Sequence, residues 1–289
     1  MIHPDATGVV PSFDGTRIAY QTFGQGPPLL WGNGIGVGYR GVRLQIEHLR
    51  QRFRVVTLDH RGVFESDPPG PGGVTMEAHA RDWLAVIDHL ELERPAYCGW
   101  SMGVQVGFEV LRLERARFRR MACIGGVAGS PFRGAMPLPG IDRALPPVVE
   151  AVAAWAPALS PVASPLIASS AFLRVAKLAR FVRPNADEAS FVTMLEGVAS
   201  HDHRLYLRTL AEIGRHDAEA IVPHLDLPIL FLAGGDDYLT PRRELERLAR
   251  LAPRGEVHTV EGTSHFVILE APDQTNRLLE DFFSAADEA

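Results

Sequence analysis

A chain of 289 residues with 46% hydrophobic and 22% charged side chains can bury a sizeable core and suits one domain carrying an insertion. Its net charge of −6 excludes nucleic acid as the main partner, and no apolar run approaches membrane-spanning length. The opening Met1-Ile2-His3-Pro4-Asp5 has no basic region followed by an apolar one, so a cytoplasmic monomer or homodimer is expected.

Residues 8–22 alternate around Phe13-Asp14-Gly15-Thr16, which predicts an opening hairpin. The apolar run Leu29-Leu30-Trp31 then ends in the glycine-rich Gly32 to Gly38. Overlapping its end, Gly36-Val37-Gly38-Tyr39-Arg40-Gly41 matches a dinucleotide fingerprint, and Asp59 closes the next apolar run, Phe53 to Leu58. Two facts count against a cofactor there: the glycines begin several residues past the strand end, and the reading leaves everything after it unexplained.

Met76, Ala80, Trp83, Ile87 and Leu90 fall at helical spacing between residues 75 and 92, predicting a helix packed on a sheet. Next comes Gly99-Trp100-Ser101-Met102-Gly103, between a short strand ending at Cys98 and a helix over Val104 to Leu113. A serine displayed on such a sharp turn takes a strained conformation that tolerates only very small neighbours two positions away on each side. Gly99 and Gly103 supply them. A strand follows at Met121 to Gly125; Cys98 and Cys123 show no metal or redox spacing and read as small buried hydrophobes, without a disulfide.

From Ala128 to about Ala220 strand alternation vanishes, Pro and Ala become dense, and helical stretches appear near 141–156, 165–182, 186–199 and 203–215. His201, Asp202, His203, His216 and Asp217 do not have the spacing of a metal site, because residues two apart on a helix diverge. Arg50, Arg52 and Arg54, and Arg115, Arg117, Arg119 and Arg120, read as solvated faces; His60, His79 and His89 read as surface or half-buried. Strand–helix alternation resumes with a strand over Leu227 to Ala233, a helix over 242–252, a strand near Glu256 to Val260 and a last helix over 271–284. Alternating strands and helices imply a mostly parallel sheet covered on both faces.

Asp14-Gly15, Asn33-Gly34, Asp59 to Pro68, Gly99 to Gly103, Gly234 to Pro241 and Gly262 to Pro272 stand in an order that resembles the α/β-hydrolase fold superfamily, over nearly the whole chain. The resemblance implies a mostly parallel central sheet flanked by helices, with an all-helical cap: a core of residues 1–127 and 221–289 and a cap of residues 128–220. It implies Ser101 as nucleophile, His265 as base and Asp237, four residues before Pro241, as the acid, with Asp236 a loop-capping neighbour. By position Ile35 and Met102 supply the oxyanion-hole amides.

Three positions depart from the usual pattern: Asn33 replaces a histidine, Phe64 stands where glycine is common, and Val104 stands where a second glycine often follows. The expected reaction is hydrolysis of a small-molecule carboxylic ester through an acyl-enzyme, with no cofactor and no metal. The same residues serve lactone, thioester or carbon-carbon hydrolysis, perhydrolysis or acyl transfer, and a non-catalytic binding protein of this fold is the remaining alternative. Aspartate at the elbow, which epoxide hydrolase and haloalkane dehalogenase relatives use, is absent. Some of the apolar face formed by Leu166, Ile167, Phe172, Leu173, Val175, Leu178, Phe181 and Val182 is expected to line an acyl-chain pocket.

Overall fold

The computed structural model describes residues 2–135 and 140–286. Residues 1, 136–139 and 287–289, which fall within the expected core and cap, lie outside the described residues. Eight strands, β1 (Ala6–Pro11), β2 (Arg17–Phe23), β3 (Pro28–Gly32), β4 (Arg54–Leu58), β5 (Ala96–Trp100), β6 (Met121–Ile124), β7 (Ile229–Gly234) and β8 (Gly255–Val260), form one sheet in the order β1-β2-β4-β3-β5-β6-β7-β8. The β1–β2 and β2–β4 pairs are antiparallel and all others parallel, so only β2 runs against the rest. The predicted hairpin is β1–β2, closed by Ser12 and Thr16.

Helices α1 (Arg43–Leu49), α2 (Met76–His89) and α3 (Met102–Leu113) connect the first parallel strands. Between β6 and β7 the regular elements among the described residues are all helical: α4 (Pro131–Ala135), α5 (Ile141–Ala153), α6 (Ala156–Ile167), α7 (Ser170–Leu178), α8 (Glu188–Ser200), α9 (His203–Arg215) and a 3-10 turn at Glu219–His224. The chain then closes with α10 (Arg242–Leu251), α11 (Val267–Glu270) and α12 (Pro272–Ser284).

Alternate side chains along the central strands serve two cores. Leu30, Tyr97, Cys123 and Phe231 pack with Trp83 of α2 and Phe108 of α3. Leu29, Trp31, Cys98 and Leu230 pack on the other face with Ile46 of α1 and Leu279 of α12. This is the two-residue period of a strand buried on both sides. It also places Cys98 and Cys123 on opposite faces, both free thiols.

The helical stretch differs in detail from the expectation. The predicted helix over 165–182 is two pieces, the last turn of α6 and all of α7, broken where Ser169 caps Phe172 N–H at 3.1 Å. Pro161 and Pro165 hid α6, because each removes a backbone donor that a helix interior uses, whereas Pro157 stands in the first turn, where that donor has no helical partner. Pro161 and Pro165 are exposed, so water can satisfy the carbonyls they leave open. Asp187 and Asp202 start α8 and α9 by accepting backbone N–H bonds at 2.8 Å.

Candidate active site

The strand ends fix where chemistry can occur. Gly32 of β3 is level with Gly99 of β5, and Trp100 with Ile124 of β6, so the loops after these strands leave the same edge of the sheet. β3 and β5 are also where the chain order reverses, the crevice at which open α/β sheets place their ligands.

Ser101 occupies that crevice with φ 54° and ψ −120°, a conformation rare for a residue with a Cβ. Its neighbours must be glycine. A Cβ on Gly99 would stand 2.7 Å from the backbone of Gly103 and Val104, and one on Gly103 would stand 2.1 Å from the Gly32 carbonyl oxygen. Val104, at a position where glycine is common, is buried against Gly126.

His265 and Asp237 arrive from the loops after β8 and β7. The Ser101 hydroxyl lies 3.0 Å from His265 Nε2, and His265 Nδ1 lies 2.9 Å from Asp237 Oδ2. Asp237 is held on its other side too: Oδ1 accepts the N–H groups of Leu239 at 2.8 Å and Thr240 at 3.0 Å, and Oδ2 accepts the Thr240 hydroxyl at 2.6 Å. Burial pushes the Asp237 carboxyl up, but the His265 imidazole and the Thr240 donors outweigh it and hold the group below the ordinary carboxylate range. Asp236 instead points outward to an ion pair with Arg183.

The loop carrying His265 has its own support. Buried Glu270 accepts Ser264 N–H at 2.5 Å, the Ser264 hydroxyl at 2.6 Å and the Arg183 N–H at 2.6 Å. Trp100 donates its indole N–H to the His265 carbonyl at 3.2 Å. Thr240, Trp100 and Glu270 were absent from the sequence-derived set. The only sequence signal was a carboxylate five residues after His265, across the apolar run Val267-Ile268-Leu269.

Ile35 and Met102 border the same cavity as Ser101 and His265, and the loop after β3 comes close enough that a Cβ on Gly34 would sit 3.4 Å from Ser101 Cβ. Asn33 turns back into the sheet, where its side-chain N–H bonds Thr57 Oγ1 at 3.0 Å and its carbonyl meets His60 Nε2 at 3.2 Å. His60 and His79 correct the expectation of surface or half-buried residues. They are 3% and 1% exposed, ring against ring at 5.0 Å. Burial drives the His60 imidazole down to about 4, and His79 well below its ordinary value.

The cavity holds about 460 Å³. None of the described residues lining it is Asp, Glu, Lys or Arg. Of the eight apolar residues expected at an acyl pocket, Ile167, Phe172 and Phe181 line it, Leu173 and Val182 are buried in the core, and Leu166, Val175 and Leu178 face outward. Gln105 ties α3 to the helical stretch by donating to the carbonyls of Gly129 and Ile213, each at 2.9 Å.

The two rival motifs have other uses. Gly36 and Gly41 let the helical stretch approach closely, since a Cβ on Gly36 would meet the Tyr206 ring at 3.1 Å and one on Gly41 would meet Met194 at 2.7 Å, while one on Gly38 would meet the Phe64 ring of the loop after β4 at 2.7 Å. Phe64 itself sits at φ 49°, which explains why glycine suits that position, and its ring packs 4.6 Å from that of His201. Asp59 accepts the Gln21 side-chain N–H at 3.1 Å. His201, His203 and His216 turn to three separate partners, Gly36 O, Ser160 and Glu109. No cluster of three or more metal-ligating side chains occurs among the described residues.

A family model described as the alpha/beta hydrolase family matches residues 26–278. A protein of Agrobacterium fabrum named putative carbamate hydrolase RutD is 26% identical over 93% of this chain and 97% of its own length. Among solved structures, a thermophilic esterase from Thermogutta terrifontis superposes with a TM-score of 0.76 at 22% identity, covering 96% of this chain and 98% of that one. The enol-lactonase from Burkholderia xenovorans gives a TM-score of 0.73 at 21% identity, covering 96% and 100%. With a mostly parallel eight-stranded sheet and a family match over most of its length, the chain belongs to the alpha/beta hydrolase family.

Proposed function

We propose that this hydrolase cleaves an uncharged carboxylic ester through an acyl-enzyme on Ser101. The observation that carries the reading is the unbroken Ser101–His265–Asp237 hydrogen-bond chain facing an apolar cavity. A free hydroxyl is a poor nucleophile. His265 Nε2 takes its proton as Oγ attacks the carbonyl carbon, and Asp237 fixes the proton on Nδ1 and stabilises the imidazolium.

The tetrahedral oxyanion then accepts hydrogen bonds from the N–H groups of Ile35 and Met102, the latter at the start of α3, where backbone donors have no helical partner. His265 returns the proton to the leaving alcohol. Water, activated by the same imidazole, attacks the acyl-enzyme and releases the acid and Ser101.

Residues 128–220 act as the cap, supplying much of the apolar wall through Phe132, Ile167, Phe172, Phe191 and Leu210. That wall favours an ester with an apolar acyl or alkoxy group over a small polar carbamate, which would leave most of the cavity unfilled. The test is hydrolysis of chromogenic esters with acyl chains from about two to about sixteen carbons. Activity should depend on chain length and fall by several orders of magnitude in Ser101→Ala; a flat profile or an active mutant counts against the reading.

A further inference from the structure

The helical stretch between β6 and β7 turns apolar side chains outward as well as inward. Trp155, Leu159, Val162 and Leu166 recur at helical spacing along α6 and are all exposed, Trp155 by 71% and Val162 by 73%. Val148 and Val152 of α5 and Val175 and Leu178 of α7 are exposed as well, Leu178 by 85%. A helix packed on a soluble core normally keeps its outer face polar, so an apolar outer face spread over three consecutive helices marks an interaction surface.

Charge indicates the partner. From Ala151 to Leu173 no residue is charged. On α5, α6, α7 and the turn that follows, the charged groups without an oppositely charged partner among the described residues are Arg143, Arg174 and Arg180. The acids of α5, Asp142 and Glu150, are engaged by Arg133 and Arg215. Exposed Arg174 and Arg180 flank the outward Val175 and Leu178 in the chain, in a protein whose net charge is −6. Pairing with a second copy through a two-fold axis would set the same surface and its arginines against themselves. An anionic lipid surface is complementary to both features, with a tryptophan suited to the headgroup level.

We propose that α5, α6 and α7 dock this face on an anionic lipid bilayer. No single helix among the described residues is long and apolar enough to cross a membrane; α5 and α6 reach that length and apolarity only together, with a bend of 92° between them, and docking as proposed lays each of them flat in the interface. Ile167 and Phe172, immediate neighbours of this face in sequence, line the cavity that holds Ser101. Docking sets that wall against the lipid, where an apolar ester would partition. The docking itself does not depend on Ser101 being a nucleophile.

Tryptophan emission from the full chain tests the proposal. Trp31, Trp83 and Trp100 are 0%, 0% and 3% exposed, so iodide quenching reports Trp155 almost alone. Vesicles of phosphatidylcholine with phosphatidylglycerol should shift the emission to the blue and shield it from iodide, and high salt should reverse this. Pure phosphatidylcholine should do far less. Arg174→Gln with Arg180→Gln should weaken partitioning about 30-fold, since each cation near an anionic surface contributes about fivefold. Val162→Glu, fully tolerable at an exposed position, should weaken it as well.

Three results overturn the proposal: unchanged emission with anionic vesicles, undiminished binding by Val162→Glu, or shielding of Trp155 without lipid in step with self-association in sedimentation. The last result would assign the face to a second copy of the chain.

Discussion

Replacing Asp237 by asparagine tests the acid's role, and the structure decides which way the new amide turns. Oδ1 accepts two backbone N–H groups, at 2.8 and 3.0 Å. An amide nitrogen there would face two donors and lose both bonds. The NH2 group therefore takes the Oδ2 position, 2.9 Å from His265 Nδ1, and donates to it. His265 must then carry its proton on Nε2, 3.0 Å from the Ser101 hydroxyl, and cannot accept another. Loss of the correct tautomer costs about 10³ to 10⁴ in turnover, or about 4 to 5.5 kcal/mol of transition-state stabilisation. The assay is kcat/KM on a chromogenic ester across pH, with the urea midpoint as a control on folding. If Asp237→Asn retains activity within about tenfold of the wild type while folded, the tautomer argument is wrong.

Further substitutions probe the frame around the site. Gly99→Ala forces a Cβ to 2.7 Å from main-chain atoms, so Ser101 should be displaced and activity lost; an active, stable variant would show that the elbow can relax. Arg61 is buried between Asp82, at 2.6 Å, and Asp14, at 3.0 Å. Arg61→Ala strands both carboxylates and should destabilise by about 3 to 5 kcal/mol in urea unfolding. Burial raises the Asp59 carboxyl to about 6 from an ordinary 3.8. Its contribution to stability is therefore complete below pH 3.8 and is lost as pH rises through about 6. Relative to wild type, Asp59→Asn should gain about 3 kcal/mol by about pH 8, and parallel stability-pH curves would contradict the burial argument. Leu210→Trp should fill part of the cavity and shift the preferred acyl chain to shorter esters, read from the chain-length profile.

What could be read from the sequence was whatever depends on local pattern. Alternation in the opening hairpin, the continuous apolar runs of β3, β4 and β7, and the Gly99 and Gly103 spacing all follow from short-range sterics and two-face burial. The candidate site residues Ser101, Asp237 and His265 could be proposed on the same kind of signal, since each sits in a loop just past a strand end. α6 was not legible, because two exposed prolines in its interior erase the propensity signal. Nor was the burial of His60 and His79: nothing in their neighbours announces that two imidazoles will meet edge to face beside the loop carrying Asn33. The apolar residues between 166 and 182 looked alike in sequence, and only tertiary packing sorts them into cavity wall, core and outer surface. Thr240 and Glu270 act through contacts made by the fold, which composition and periodicity do not encode.

The central claim is that Ser101 becomes covalently acylated. Rapid acid quenching of the protein with a slowly released chromogenic ester, followed by mass spectrometry of the peptide containing Gly99 to Gly103, tests it most directly. The account predicts an acyl mass on Ser101, a burst of alcohol equal to the enzyme present, and neither in Ser101→Ala. Steady ester turnover without an adduct on Ser101, or equal turnover by the mutant, would contradict it.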